Sequence, residues 1–213
     1  MTKTMLLLPG DGIGPEVVAQ ARRVAEAVMP GLRFEEDLAG GSAIDVYGDP
    51  LTEETLEKAK TCDAVLLGAV GGPKWVDVAR HLRPEMGLLK LRKGLDVFAN
   101  LRPALCFQAL TDASSLKREI VDGLDLMIVR ELTSGVYFGE PRGICEASDA
   151  RIAGGPAVPA GEAYGFETSI YTASEIERVT RVAIEIARGR GGEVCSVEKS
   201  NVMESGHFWR QQV

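Results

Sequence analysis

The stretch Thr4-Met5-Leu6-Leu7-Leu8-Pro9-Gly10-Asp11-Gly12-Ile13-Gly14-Pro15 decides the fold class of this 213-residue chain. It begins with a short apolar run, which breaks at a loop that contains three glycines. The residues that follow carry apolar side chains at helical spacing, at Val17, Val18, Ala21, Val24, Ala25 and Val28. The stretch therefore predicts a strand, a glycine loop and a helix, in that order.

The glycine loop does not match the usual dinucleotide fingerprint. Its pattern is G-x-G-x-G, whereas the fingerprint is G-x-G-x-x-G. No acidic residue clearly ends a second strand at the distance that a Rossmann site requires, so we exclude such a site here. Two interpretations remain open: a turn that lets a helix N-terminus approach a ligand, or a plain tight turn.

Strand and helix continue to alternate downstream of this loop. Thr52 is predicted to cap a second helix, which has Glu53 and Glu54 in its first turn and Lys58 and Lys60 in its last. The range 64–69 reads as a buried strand that glycines terminate. This alternation predicts an α/β fold with a largely parallel sheet, in which ligands gather outside the carboxyl ends of the strands.

A third helix, predicted to begin near Glu85, has a chemically mixed face. Glu85, Leu88, Leu89 and Arg92 share that face because they are spaced by three, four and seven residues. Burying unpaired charge costs roughly several kcal/mol, so the face suits a small molecule with a carboxylate and an alkyl group better than a core. An ordinary amphipathic helix with solvated charges is the alternative. Leu91 and Leu95, on another side, are predicted to hold the helix to the protein.

The second half of the chain has a different organisation. Its predicted elements are strands at 101–107 and 124–129 around a short helix at 114–120, a surface arm or connector at 142–165, a helix opened by a capping box at Ser174-x-x-Glu177, a strand at 193–197 and a last helix through Trp209.

Composition excludes several classes of function. A net charge of −7 argues against a nucleic-acid partner, and the chain has no apolar run of transmembrane length. The run from Met5 to Pro9 is too short for a signal peptide, so we expect a cytoplasmic protein and no membrane partner. The four cysteines are widely spaced, which predicts reduced and mostly buried thiols without a metal site.

Charged side chains near the ends of apolar elements indicate an anionic ligand. Arg92, Arg102 and Arg130 would repel one another if they converged, unless an anion lay between them, and a dicarboxylic acid fits that position. Tyr137 is a candidate acid and Lys199 a candidate base for proton transfer. For each of the two, a purely structural role remains open.

Six segments of the chain together resemble one enzyme family. They resemble, in the same order, the N-terminal portion of the isocitrate/isopropylmalate dehydrogenase family of β-decarboxylating dehydrogenases, and its 3-isopropylmalate dehydrogenases in particular. The segments are Leu8-Pro9-Gly10-Asp11-Gly12-Ile13-Gly14-Pro15-Glu16, Gly71-Gly72-Pro73-Lys74-Trp75, Leu88-Leu89-Lys90-Leu91-Arg92-Lys93, Phe98-Ala99-Asn100-Leu101-Arg102-Pro103, Val129-Arg130-Glu131-Leu132-Thr133 with Tyr137-Phe138-Gly139, and Lys199-Ser200-Asn201-Val202.

The resemblance implies a reaction and a set of residues for it. The reaction is the NAD-dependent oxidative decarboxylation of 3-isopropylmalate to 2-oxoisocaproate in leucine biosynthesis. The three arginines would hold the malate carboxylates, and Leu88 and Leu89 would contact the isopropyl group. Tyr137 would protonate an enolate, and Lys199 would act as base in the site of the other subunit of a homodimer. The residues implied for NAD are Ile13, Gly72, Pro73, Lys74, Trp75 and Glu85.

The resemblance also implies a two-domain, non-Rossmann fold whose C-terminal part is missing here. Residues 1–99 would begin the large cofactor-binding domain, and residues 100–213 would belong to the dimerisation and substrate domain. In the family, a bound Mg or Mn ion polarises the substrate hydroxyl. The aspartates that bind this ion correspond to positions beyond Val213. No metal ligand is therefore predicted in this chain, and we expect the 213 residues alone to be inactive.

Two alternatives to this function stay open at this point. One is a D-malate, tartrate or other alkylmalate dehydrogenase of the same family. The other is a non-catalytic remnant that dimerises or binds anions. The clearest departure from the family pattern is Val76, which stands where the family usually has an aspartate, so the cofactor loop is expected to differ slightly.

Overall fold

The structure is a computed structural model that describes residues 3–146, 158–159 and 161–213. It forms two compact units, Met1–Asp96 and Val97–Val213. Within these described residues, no helix is long and apolar enough to cross a membrane. The functions assigned to the two predicted domains remain predictions.

The first unit is an α/β layer with a parallel sheet, as the alternation of strands and helices predicts. Its central strand, β1 (Thr4–Gly10), pairs in parallel with β2 (Arg33–Glu36) on one side and with β3 (Ala64–Ala69) on the other. Its elements are β1 Thr4–Gly10, α1 Gly14–Val28, β2 Arg33–Glu36, α2 Gly41–Tyr47, α3 Glu53–Thr61, β3 Ala64–Ala69, α4 Pro84–Gly94 and two 3-10 turns at Pro73–Trp75 and Arg80–Leu82.

The core of this unit forms around the central strand β1. Leu6 and Leu8 are fully buried there, and Leu91 of α4 belongs to the same cluster. Leu95 packs against the cluster as well, so the prediction that these two leucines hold the helix to the protein is confirmed. The predicted Thr52 cap is also confirmed, because its hydroxyl accepts the Thr55 N–H at 3.1 Å.

The helix predicted after the glycine loop is present as α1, and its apolar stripe is only partly covered: Val18 is 4% exposed, whereas Val24 is 62% and Val28 69% exposed. One sequence prediction for this unit needs correction. The strand β3 forms where predicted, but it is half-buried rather than buried. It lies at an edge of the three-stranded sheet, and an edge strand has a neighbour on one side only.

The described residues of the second unit form two antiparallel strand pairs and two helices longer than two turns. The strand β4 (Ala99–Leu105) pairs with β5 (Asp125–Glu131), with Ala99 opposite Glu131. The strand β6 (Gly139–Glu146) pairs with β7 (Ala163–Thr168). The helix α6 buries Ile176 and Val179. The elements are β4 Ala99–Leu105, α5 Arg118–Val121, β5 Asp125–Glu131, β6 Gly139–Glu146, β7 Ala163–Thr168, α6 Ala173–Arg190, α7 Glu204–Gln212 and 3-10 turns at Gln108–Ala113 and Gly135–Tyr137.

The capping box of α6 lies two residues before the predicted one. Thr172, not Ser174, is the N-cap: its hydroxyl accepts the Glu175 N–H, and the Glu175 carboxylate accepts the Thr172 N–H at 2.8 Å. Both Thr172-x-x-Glu175 and Ser174-x-x-Glu177 fit the capping-box pattern. The pattern alone therefore does not distinguish between them.

Three other predictions for this unit were wrong in part. The range 193–197 forms no strand, because no strand of the described residues pairs with it, and Val197 is 89% exposed. The predicted arm is a strand at both of its ends, in β6 and β7, and residues 147–157 and 160 lie outside the described residues. The cysteines of the chain are free, but they are not mostly buried: only Cys145 is buried, Cys62 and Cys106 are half-buried, and Cys195 is exposed.

Candidate functional site

The glycine loop after β1 is organised by the carboxylate of Asp11. Asp11 is 3% exposed, and its Oδ2 atom accepts the N–H of Gly41 at 2.8 Å and that of Gly71 at 2.7 Å. Its Oδ1 atom accepts the N–H of Ser42 at 2.7 Å. One buried side chain thus joins the loop after β1, the start of α2 and the loop after β3.

Asp11 was not among the site residues that the sequence predicts. The signal available in the sequence is an acidic residue between two glycines, at the end of an apolar strand. The partners of Asp11 are 30 and 60 residues away in the chain, and only the fold brings them to it.

Lys74 and Trp75, both predicted to contact the cofactor, share a single acidic partner. The Asp45 carboxylate accepts a bond from Lys74 Nζ at 2.5 Å and one from Trp75 Nε1 at 3.1 Å. The hydrogen bond from Lys74, followed by that from Trp75, lowers the pKa of Asp45 below its usual value. The two side chains therefore fasten the 3-10 turn at Pro73–Trp75 to α2, while Gly72 and Pro73 stay exposed.

Glu85 lies beside the loop that follows β3. A Cβ atom added to Gly71 would lie 2.9 Å from Glu85 Oε1, so the carboxylate occupies the space that a side chain at Gly71 would need. Glu85 is exposed, and Leu88, Leu89 and Arg92 are half-buried on the same helix. The mixed face of α4 is thus partly exposed to solvent, and Glu85, at one end of this face, lies at the loop that follows β3.

On the second unit, two of the predicted arginines lie on one face of the β4–β5 pair. Asn100 is directly opposite Arg130, and Arg102 is two residues further along β4. Arg102 Nε donates to Asn100 Oδ1 at 2.5 Å. The Arg102 and Arg130 side chains are therefore diagonal neighbours, which favours an anion on this face. Arg92 belongs to α4, in the first unit.

Tyr137 lies next to one of these arginines. The guanidinium carbon of Arg130 is 5.3 Å from the centroid of the Tyr137 ring, within the range of a cation–π contact. Tyr137 is 54% exposed, so its hydroxyl is accessible from solvent. Arg142 Nη1 donates to the Tyr137 carbonyl at 2.5 Å and fixes the backbone there. The structure thus brings Arg102, Arg130 and Tyr137 to one region of this unit.

The Glu131 carboxylate fixes the backbone that precedes Tyr137. Glu131 is not among the site residues that the sequence predicts. The Glu131 carboxylate is 3% exposed and accepts the N–H groups of Thr133 at 3.0 Å and Ser134 at 2.9 Å. Thr133 also donates its hydroxyl to Glu131, at 2.7 Å. Since Glu131 follows Arg130 directly, the same strand end positions the arginine and the loop that leads to Tyr137.

Lys199 is exposed and precedes α7. The Met203 N–H donates to the Lys199 carbonyl at 3.1 Å. Two apolar residues nearby are also exposed, Val197 by 89% and Val202 by 72%. The lysine therefore lies in a solvent-facing segment of this unit, on a different element from Tyr137.

The described residues do not fit a divalent metal. No group of three or more His, Cys, Asp or Glu side chains within them is arranged to hold an ion. Two acidic residues close to predicted site residues have protein partners: Glu131, beside Arg130, accepts bonds from backbone amides, and Asp45 binds Lys74.

The first unit fits the nicotinamide end of a dinucleotide better. Ile13, at the start of α1, is 57% exposed and offers an apolar surface. The loop at Gly72 and Pro73 is exposed, and Glu85 offers a carboxylate that can accept bonds from ribose hydroxyls. No side chain at Gly12 or Gly72 restricts access to the backbone there.

Comparison with known proteins decides the family. The family model described as isocitrate/isopropylmalate dehydrogenase matches residues 4–213. The chain belongs to the isocitrate/isopropylmalate dehydrogenase family. It is 62% identical over 210 residues to a 3-isopropylmalate dehydrogenase of Caulobacter vibrioides and 56% identical over 214 residues to that of Ruegeria pomeroyi.

The chain spans little more than half the length of these relatives. The matches cover 99% of this chain in both cases, but 57% of the Caulobacter protein and 55% of the Ruegeria protein. The fold expected from the family resemblance is thereby confirmed for this portion of a family member.

Solved structures of the family have the same fold. A β-decarboxylating dehydrogenase from Thermococcus kodakarensis matches with a TM-score of 0.67 and 31% identity, over 99% of this chain and 53% of that one. An isocitrate dehydrogenase from Methylococcus capsulatus matches with a TM-score of 0.77 and 26% identity, over 98% and 55% respectively. The isocitrate/isopropylmalate dehydrogenase family therefore supplies the framework for interpreting the residues above.

Proposed function

We propose that the full-length protein catalyses the NAD-dependent oxidative decarboxylation of 3-isopropylmalate to 2-oxoisocaproate, a step of leucine biosynthesis. The observation that carries this proposal is the face of α4. It has an exposed carboxylate at Glu85 and half-buried aliphatic side chains at Leu88 and Leu89, with Arg92 one turn further on. A branched alkyl malate has matching chemistry, and relatives up to 62% identical are named for this substrate.

Within the proposal, the arginines bind the substrate carboxylates. Arg102 and Arg130 lie diagonally on one face of β4–β5, so their guanidiniums can hold an anion between them. Arg92 is the third member of the set. Asn100 accepts a bond from Arg102 and thereby orients it, which lowers the entropy lost when the anion binds.

Two protons move in the reaction, and we assign one to each of the remaining residues. Lys199 accepts the proton of the 2-hydroxyl group as C2 is oxidised. Carbon dioxide then leaves from C3, and the electron pair of the broken bond remains as an enolate. Tyr137 donates its hydroxyl proton to C3 and recovers a proton from solvent, to which it is exposed.

NAD, when bound, accepts the hydride from C2. Ile13, the loop from Gly72 to Trp75 and Glu85 are the residues proposed to hold it. In this assignment the Asp11 carboxylate keeps the loop against Glu85, and the bonds between Asp45 and the Lys74–Trp75 pair keep the turn closed. No described residue of this chain is assigned to hold a divalent metal, because these residues do not fit one.

A homodimer in which each subunit supplies Lys199 to the other's site is part of the proposal. The exposure of Lys199 beside Val197 and Val202 supports it, since these apolar side chains are suited to contact with a second copy. Mixing inactive Tyr137→Phe and Lys199→Met proteins tests the idea. Hybrid dimers are expected to regain activity at one of their two sites, whereas sites built within one subunit would give no recovery.

A substrate comparison tests the proposed function against its alternatives. The full-length protein is expected to have its highest kcat/KM for 3-isopropylmalate, compared with D-malate, tartrate and isocitrate. A preference for D-malate or tartrate would support a different dehydrogenase of the family. Activity on none of them, in a folded protein that has metal and NAD available, would indicate a non-catalytic protein.

A further inference from the structure

Tyr171 lies between the two segments that carry the proposed proton-transfer residues. One is the loop 132–137, which ends in Tyr137, and the other is the segment 196–203, which contains Lys199. We call them the Tyr137 loop and the Lys199 segment. Both belong to the unit Val97–Val213.

The Tyr137 loop packs against Tyr171 and its neighbour. The Gly135 N–H donates to the Ile170 carbonyl at 2.9 Å. A Cβ atom at Gly135 would lie 2.3 Å from the Tyr171 hydroxyl oxygen, so the hydroxyl occupies space that only a glycine leaves free. Burial, assisted by the Glu131 carboxylate, raises the pKa of Tyr171 above its usual value, and the hydroxyl therefore stays protonated.

The beginning of α6 reinforces this contact. Burial acts to raise the pKa of Glu175, but hydrogen bonds from Ser134 and Thr172 outweigh it and hold the pKa below its usual value. Ser134 belongs to the Tyr137 loop, and Thr172 follows Tyr171 directly. The loop is consequently fixed from two sides, by Glu131 before it and by residues 170–175 beside it.

On its other side, Tyr171 contacts the helix that follows the Lys199 segment. The rings of Tyr171 and Trp209 have centroids 5.2 Å apart and planes at 81°, which is the edge-to-face geometry of a favourable aromatic pair. Trp209 in turn donates its Nε1–H to Ser196 Oγ at 3.2 Å. The aromatic pair thus connects Tyr171 to the first residue of the Lys199 segment.

The helix α7 also contacts the backbone of Lys199 itself. A Cβ atom at Gly206 would lie 2.7 Å from the Lys199 carbonyl carbon and 2.8 Å from its oxygen. A displacement of α7 therefore changes the position of the Lys199 backbone. The contacts run from Gly135 through Tyr171 to Trp209, and from there through Gly206 of the same helix to the backbone of Lys199.

We propose that Tyr171 is a positioning residue that couples the Tyr137 loop to the Lys199 segment. The functional consequence rests on the proposed function, in which these segments carry the acid and the base. If Lys199 serves the partner's site, the same contacts join the acid of one site to the base of the other. A change at either site is then transmitted through Tyr171.

Hydrogen exchange of backbone amides in the full-length protein tests the coupling without any assay of activity. Tyr171→Leu is expected to raise exchange roughly tenfold in both segments, since it removes the shared contact. Trp209→Leu leaves Tyr171 in place, yet it is expected to raise exchange in the Tyr137 loop as well as in the Lys199 segment. Tyr47→Leu, an exposed tyrosine of the other unit, is the control and is expected to change neither.

A conservative variant keeps the test decisive if Tyr171→Leu does not fold. Tyr171→Phe removes the hydroxyl beside Gly135 and keeps the ring that contacts Trp209. We expect faster exchange in the Tyr137 loop and wild-type exchange in the Lys199 segment. The coupling would be refuted if Trp209→Leu changed exchange in the Lys199 segment alone, or if Tyr171→Phe left the Tyr137 loop unchanged.

Kinetics then test the consequence for catalysis. Trp209→Leu, which the proposed chemistry does not use directly, is expected to lower kcat roughly tenfold with an unchanged KM for NAD. An unchanged kcat would contradict a positioning role, and so would a rise in the KM for NAD as large as the fall in kcat. If the wild-type protein turned over no substrate, the proposed function would fail, while the exchange comparison would still decide the coupling.

Discussion

The Oδ2 atom of Asp11 accepts the backbone N–H of Gly71 at 2.7 Å, and this bond joins the loops that follow β1 and β3. The same oxygen accepts the N–H of Gly41 at the start of α2. Since Glu85 lies against Gly71, the buried carboxylate also determines where the proposed cofactor loop meets α4. Its role in the fold and its proposed role in cofactor binding are therefore linked.

Replacing Asp11 with Asn tests this role. The side-chain amide keeps only one oxygen, so at least one of the three amide donors, of Gly41, Ser42 and Gly71, would face an NH₂ group instead of an acceptor. We expect the free energy of unfolding to fall by about 1–3 kcal/mol, as when buried donors are left without acceptors, together with a higher KM for NAD. Urea denaturation and steady-state kinetics measure the two effects. Glu36→Gln, at an exposed site in the same unit, is the control, and equal effects in both variants would contradict the assignment.

The aliphatic part of the α4 face is expected to select the substrate. Replacing Leu88 and Leu89 together with Ala should lower kcat/KM for 3-isopropylmalate by a factor corresponding to about 1–3 kcal/mol, and that for D-malate much less. D-malate has no alkyl group to lose contact with. Met86→Ala, an exposed apolar residue of the same helix that is not among the predicted substrate contacts, is the control. Equal losses on both substrates would show that these leucines do not line the alkyl site.

Lys199→Met tests the proposed base. The substitution keeps most of the side-chain volume but removes the amine, so we expect kcat to fall roughly 10²–10⁴-fold with little change in the affinity for NAD. Lys117→Met is a matched control, because Lys117 is also highly exposed. An unchanged turnover number in Lys199→Met would exclude a role in proton transfer.

Stability in acid is expected to depend on Asp37. Burial acts to raise the pKa of this carboxyl, but hydrogen bonds from Lys58, at 2.8 Å, and from the Leu38 N–H outweigh it and hold the pKa below 3.8. A lowered pKa stabilises the folded state at every pH above 3.8, and this contribution disappears as the pH falls through the lower folded value.

Asp37→Asn should therefore lower stability near neutral pH and reduce the loss of stability in that acid range. Urea midpoints measured as a function of pH provide the comparison, with Asp122→Asn at an exposed site as control. An acid profile identical to that of the wild-type protein would mean that Asp37 does not contribute in this way.

Local sequence patterns predicted the features that local physics determines. The Thr52 cap and the attachment of α4 through Leu91 and Leu95 follow from side-chain spacing within a few residues, and both are present in the structure. The capping box of α6 shows the limit of such patterns, because two overlapping motifs fit equally well and the structure uses Thr172.

Local sequence patterns did not predict the features that depend on residues distant in the chain. The range 193–197 has the composition of a strand, but a strand requires a partner, and the described residues provide none. The three amide partners of Asp11 and the Tyr171–Trp209 pair arise from the fold, so no spacing rule points to them. The roles of the arginines, Tyr137 and Lys199 came from family resemblance and remain predictions.

Product analysis with the full-length protein tests the central claim most directly. Incubated with 3-isopropylmalate, NAD and Mn²⁺, the protein is expected to form NADH, carbon dioxide and 2-oxoisocaproate in equal amounts. Equal amounts are expected because each turnover oxidises one hydroxyl group and releases one carboxyl group. Formation of none of these products by the folded protein, or of NADH without carbon dioxide, would contradict the proposed function.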